Sequence, residues 1–245
     1  MDRGDLEPRD RVHQGEPAVQ VLLRGAPGEA IEAMRSLRYR NGFKGTLHED
    51  AVDLPLRWRS ARRSFVKSMS DPFHEAVLFE FTTRCSEVMR RADQHSYQVL
   101  TKRPERMLEY ARTALPFPWP AQVGAGTSVE NDDYSGRIDT LRHVPATARF
   151  LSLEPLLGPL DDLDLWGMSW IIVGGESGPR ARPMNPAWVT AIRDNCQEQR
   201  VPFFFKQWGG KNKKAAGRGL EGRTWDEYPL SAPSARPLGR ARAVV

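Results

Sequence analysis

Short runs dominated by apolar and β-branched or aromatic residues recur along the middle of the chain, each followed by a longer stretch of helical periodicity or by a loop of comparable length. The runs are RSFVKSM (63–69), YQVLT (97–101), AQVGAGT (121–127), ARFLSL (148–153), WIIVGG (170–175) and PFFFKQW (202–208), and their length and composition read as strands. Between them the apolar positions return every three to four residues, the spacing of a helix with one buried face. Asp71 followed by Pro72 reads as a helix start, with Val77, Phe81, Cys85, Val88, Met89 and Ala92 on a common face. Pro104 opens a second helix with Met107, Leu108, Ala111 and Leu115 on one side. NDDYSGRIDTLRHV (131–144) is acidic in its first turn, where carboxylates suit the positive end of the helix dipole. Asn185 and Pro186 open a fourth, with Trp188, Val189, Ile192 and Cys196 facing inward.

Six strands separated in this way predict a parallel sheet, because crossover connections bring successive strands back in the same direction. The spacing suits a closed or partial (β/α) barrel and equally an open doubly wound sheet. In either, ligands bind at the carboxyl ends of the strands, and the polar residues cluster there: Ser68, Ser70 and Asp71; Thr101, Lys102 and Arg103; Thr127, Ser128 and Glu130; Ser152 and Glu154; Glu176 and Ser177; Lys206 and Gln207. Gly174 and Gly175 precede Glu176 and would let backbone approach a ligand closely.

Each of these residues also has a structural reading. Asp71 suits a helix cap, and Lys206 after FFF suits an ion pair with a glutamate on a neighbouring strand. Glu154 and Glu176 lie in turns with no helix to cap, which points to a site role; as a carboxylate pair they would suit acid–base chemistry, although no nucleophile with its base accompanies them. Lys102 and Arg103, beside carboxylates, suit a phosphate or carboxylate ligand. GGESG fits the spacing of neither a phosphate loop nor a dinucleotide fingerprint.

Charge changes this picture little. The formal net charge is +5, and residues 211–245 carry eight Lys or Arg against three acids, so the body is neutral and the excess lies in the tail. RWRSARR (57–63), four arginines around Trp58, is the body segment that most resembles a nucleic-acid contact, against the plainer reading of a solvated turn. The two cysteines exclude a disulfide framework, and five histidines without helical pairing or cysteine company indicate no metal site. No apolar run is long enough to span a bilayer and no leader pattern precedes the body, so a cytoplasmic protein without membrane contact is expected. Residues 1–33 form an irregular segment outside the repeating plan, 34–209 the barrel domain, and 210–245 a basic, partly disordered tail.

Several phrases taken together carry a family resemblance: RYRNGFKGTLHEDAVDLPLRWRSARRSFVKSMSDPFHE, YQVLTKRPERMLEY, RFLSLEPLLG, WIIVGGESGPRARPMNPAWV, VPFFFKQWGG and GRTWDEYP. Over about residues 34–229 the chain resembles an uncharacterised phage gene-product family, also common in bacterial chromosomes, whose members are similar to radical S-adenosylmethionine enzymes with a three-cysteine motif. The resemblance implies an α/β fold with a partial (β/α) barrel of about six parallel strands. It also implies a [4Fe–4S] cluster on three thiolates after the first strand, with S-adenosylmethionine across the strand ends. Residues 1–33 contain no cysteine, so no cluster and no cofactor are expected here. The chain is then either a catalytically impaired remnant whose barrel is kept for binding, or one truncated or mis-started at its N-terminus, in which case a first barrel strand is missing and a sheet edge is open beside residues 64–69. The candidate ligand-binding residues are Ser68, Asp71, Lys102, Arg103, Thr127, Glu130, Ser152, Glu154, Gly174, Gly175, Glu176 and Lys206. The alternative reading is a non-catalytic module for nucleic acid or a nucleotide that uses the rim cations and the basic tail.

Overall fold

The computed structural model describes residues 52–66, 71–211 and 216–229. Six strands form one sheet in chain order: β1 (Arg63–Val66), β2 (Ser96–Thr101), β3 (Val123–Ser128), β4 (Arg149–Leu153), β5 (Trp170–Gly174) and β6 (Phe203–Gln207). Every neighbouring pair is parallel. The sheet curls into a half-barrel, so the expected partial (β/α) barrel is the architecture observed. The curl is visible in contacts between distant strands: the rings of Phe65 on β1 and Phe150 on β4 have centroids 6.0 Å apart.

Alternation along each strand assigns the two faces. Val66, Tyr97, Val99, Val123, Ala125, Leu151, Leu153, Ile171, Val173, Phe203 and Phe205 are buried in the large core beneath the connecting segments. Leu100, Phe150, Trp170 and Ile172, with Phe65 and Phe204 against them, form a second cluster on the concave face. Burying one such side chain contributes roughly 1.5–3 kcal/mol, which is why apolar residues occupy both faces of the central strands.

Helices α1 (Phe79–Arg91), α2 (Pro104–Thr113), α3 (Arg137–Arg142) and α4 (Pro186–Glu198) follow β1, β2, β3 and β5. The 154–169 connection has no helix; Leu156, Leu160, Leu163, Leu165 and Met168 bury themselves in its place. α4 begins as its sequence predicts, with the Asn185 side chain accepting from Ala187 N at 3.0 Å and Pro186 in the first turn.

Three local expectations are corrected. The first helix does not start at Pro72: residues 72–78 turn, and α1 begins at Phe79, because the Asp71 carboxylate is taken up by β2. Its buried face includes Thr82 and Ser86, whose hydroxyls bond Pro72 O and accept from Tyr110 Oη. The third helix is interrupted, a 3-10 turn at Asp132–Tyr134 preceding the short α3. Residues 216–229, expected within the tail, pack on the outer edge of β6: Phe205 N donates to Trp225 O (2.9 Å) and Glu227 N to Phe203 O (3.2 Å), while Leu220 and Trp225 enter the core.

Candidate functional site

The carboxyl ends of the strands carry a chain of ion pairs, each seated by its own strand. Asp71 is buried. Its carboxylate accepts from Thr101 Oγ1 (2.7 Å), Phe73 N (3.0 Å), Arg103 Nη1 (3.0 Å) and Lys102 N (3.2 Å). Four donors saturate it, so Asp71 clips the segment after β1 to the end of β2. Arg103 N in turn donates to Thr101 Oγ1 at 2.9 Å, which places Arg103 at the mouth of α2. Thr127 is buried and donates its hydroxyl to Thr101 O at 3.0 Å, a tie between β2 and β3.

Beyond β3, Glu130 is buried and paired with two cations. Lys102 Nζ contacts Oε1 and Arg137 Nη1 reaches Oε2 at 3.1 Å, while the same Arg137 nitrogen also donates to Ser128 O at 2.8 Å. Beyond β4, Glu154 accepts from Lys206 Nζ at 3.0 and 3.2 Å and from Ser152 Oγ at 3.2 Å. The geometry is alike in both clusters: the carboxylates are sheltered, with side chains 6% and 14% exposed, and the ammonium groups stand outside them, with Lys102 51% and Lys206 41% exposed. A solute at this rim meets positive charge first, with negative charge behind it.

The two glycines that close β5 serve this packing. A Cβ on Gly174 would lie 2.5 Å from Glu154 Oε1, so the missing side chain is the space that the carboxylate occupies. A Cβ on Gly175 would lie 1.9 Å from Trp208 O; the β5 and β6 ends cross there backbone to backbone. The close approach expected of these glycines is therefore to Glu154 and Trp208. Past them Glu176 turns outward into a separate clip with Arg182, whose Nε and backbone N donate to Oε2 at 2.7 and 2.9 Å. These bonds hold the Glu176 carboxyl below its ordinary value. Glu154 and Glu176 have different cationic partners and no bond joins them, so the sheet end does not present them as an acid–base pair. Ser68 lies outside the described residues. Among the described residues no group of three or more His, Cys, Asp or Glu is placed to hold a metal ion, and no helix is long and apolar enough to cross a membrane.

Sequence reasoning missed Arg137, which shares Glu130, and Arg182, which holds Glu176. Both come from segments after the strand ends, and nothing in the local pattern marks them. Gly126 and Phe150 were also missed: the end of the Phe150 ring fills the space over Gly126, where a Cβ would come within 2.3 Å of it.

A six-stranded parallel half-barrel with lysine–carboxylate pairs along its carboxyl rim defines the class of protein. Residues 25–229 match the model of a family described as a protein of unknown function, DUF5131, and the chain belongs to that family. No curated protein and no solved structure matches the chain.

Proposed function

We propose that the chain is a radical-S-adenosylmethionine-like half-barrel that binds a small carboxylate-bearing ligand of the S-adenosylmethionine type at its carboxyl rim, without an iron–sulfur cluster. The observation that carries this reading is the pair of half-exposed ammonium groups, Lys102 and Lys206, each backed by a sheltered carboxylate at neighbouring strand ends. An ammonium fixed by a sheltered partner is oriented before the ligand arrives, which lowers the ordering cost of binding. The mixed charges suit a zwitterion: the lysines face a carboxylate and Glu154 or Glu130 faces an amino group. The choice of ligand comes from the resemblance of the quoted phrases to a family similar to radical S-adenosylmethionine enzymes, which is an analogy and supplies no site residue.

A three-thiolate cluster does not fit the residues present. The chain has two cysteines. Cys85 lies in α1 and Cys196 in α4, helices that follow strands near opposite ends of the sheet. Burial pushes each thiol up to about 12, the reverse of what a metal ligand requires. No step of chemistry is assigned through a cluster.

Titration calorimetry with S-adenosylmethionine tests the reading. Saturable binding that Lys206→Met and Lys102→Met each weaken about tenfold, roughly 1.4 kcal/mol, is the expected result. Absence of heat at millimolar ligand, or affinity indifferent to both substitutions, overturns it. Anaerobic reconstitution with iron and sulfide should leave the visible spectrum without cluster absorbance; stoichiometric iron with such a band would overturn the cluster-free assignment.

A further inference from the structure

The opposite mouth of the half-barrel, at the amino ends of the strands, has a different chemistry. The segment leading into β1 exposes Arg57, Arg59, Arg62 and Arg63. Among the described residues none of the four guanidinium groups has an acidic partner; the nearby Asp53 pairs with Arg84 instead. Aromatic rings lie between these charges. Arg62 sits over Trp58 at 4.9 Å and Arg63 over Tyr228 at 4.8 Å. Tyr228 is 40% exposed and packs on Trp170 and Phe204, with centroids 5.1 and 5.3 Å apart. The Arg63–Tyr228 contact therefore carries the basic segment across the concavity from β1 to the β5–β6 side, giving one continuous surface rather than a solvated turn.

Four guanidinium groups without acidic partners within seven residues repel one another, and the two ring contacts leave that repulsion unneutralised. An anion with regularly spaced charge would relieve that repulsion. The faces of Trp58 and Tyr228 are covered by Arg62 and Arg63, and an unpaired base can stack in their place once those guanidinium groups turn onto phosphates, whereas a duplex keeps its bases inside. We propose that this mouth binds single-stranded nucleic acid, with Arg57, Arg59, Arg62 and Arg63 on phosphates and Trp58 and Tyr228 beneath bases. The proposal does not rest on the reading of the carboxyl rim. It assigns the cationic role to the β1 entry, whereas the rim lysines are already paired with carboxylates.

Fluorescence anisotropy with labelled mixed-sequence 20-nucleotide RNA and DNA strands, at salt from about 50 to 300 mM, tests it. Binding should fall steeply with salt. The R57Q/R59Q/R62Q variant should bind at least tenfold more weakly at low salt, with a log–log salt slope shallower by about 2. Tyr228→Ala should weaken binding several-fold without changing the slope, because stacking releases no counterions. A stronger response from one strand type names RNA or DNA as the ligand. No binding at low salt overturns the proposal. So does equal binding by the folded triple variant, which would place the contact in the basic 211–245 segment, and so does a duplex of equal length bound as tightly as the single strand.

Discussion

Replacing Gly126 by Ala puts the account of the concave floor at risk, because two effects of opposite sign compete. Gly126 has an ordinary, negative φ, so on backbone grounds alanine should stabilise the chain by roughly 0.4–1 kcal/mol through the unfolded state. Against that, the new Cβ would stand 2.3, 2.4 and 2.6 Å from Cζ, Cε2 and Cε1 of Phe150, where carbon contacts are comfortable at about 3.5–4.0 Å. The ring must retreat by more than about 1 Å. It is buried and held by Phe65 and Trp170, both with centroids 6.0 Å away. Overpacking of that kind costs about 1–3 kcal/mol, and the pinned ring puts the net near 2 kcal/mol, or about 4–8 °C in Tm for a chain of this size. Gly124, on the same strand and face, is the control: its Cβ would meet atoms no closer than 3.6 Å, so Gly124→Ala should be neutral or slightly stabilising. Urea unfolding followed by circular dichroism measures both. Coupling completes the test, since Phe150→Leu removes the obstructing ring and the double variant should be no less stable than Phe150→Leu alone. Additive losses within about 0.5 kcal/mol, or equal losses at 124 and 126, would refute the packing argument.

Asp71→Ala should lower stability by about 2–4 kcal/mol in the same assay, because three donors at the end of β2 and the backbone N–H of Phe73 lose a charged acceptor. Cys85 and Cys196, with thiols raised to about 12, should stay unreactive toward a disulfide reagent at pH 8 in the native chain and both react in denaturant; fast native labelling of either would contradict its burial. Because the Glu176 carboxyl is depressed by Arg182, its clip is present at neutral pH and is lost as pH falls through the lowered value. Side-chain carbon NMR should show Glu176 titrating below the ordinary glutamates, and Arg182→Gln should return it to them.

The strands were legible because a sheet buried on both faces writes near-continuous apolar runs, and WIIVGG and PFFFKQW mark β5 and β6 to within a residue or two. Helix starts were legible where the cap is local, as at Asn185. The Asp71 expectation failed for the converse reason: a carboxylate before Pro72 has the pattern of a cap, but beside the local Phe73 N its other three partners sit some thirty residues away at the end of β2, and no local pattern states that. Gly174 and Gly175 could be read as demanding close approach, not by what; the answers, Glu154 and Trp208, come from two other strand ends. An ion pair was one of two readings of Lys206, but with a glutamate of the adjacent strand; its partner Glu154 comes from the end of β4 and reaches it past β5. Residues 216–229 read as tail since Gly, Lys and Arg surround them, yet Trp225 and Tyr228 supply the edge cover and part of the floor.

The register of the sheet separates rim from floor. Leu100, Gly126, Phe150 and Trp170 are hydrogen-bond neighbours in one row across β2 to β5, and Ser128, Ser152, Ile172 and Phe204 form the next inward-facing row. Glu154 follows Phe150 by four residues, which at strand rise is roughly 13 Å. Substitutions that far apart, with no shared partner, should add in their effects on stability. Phe150 touches Phe65 and Trp170, whereas Glu154 touches Ser152 and Lys206, so the two share none. Gly126→Ala should then lower Tm while leaving rim affinity intact, and Glu154→Gln should weaken rim binding by freeing Lys206 without unsettling the aromatic floor. If Gly126→Ala abolished ligand binding in a chain still folded at the assay temperature, the half-barrel would be one coupled unit and the assignment of binding to the rim alone would fall.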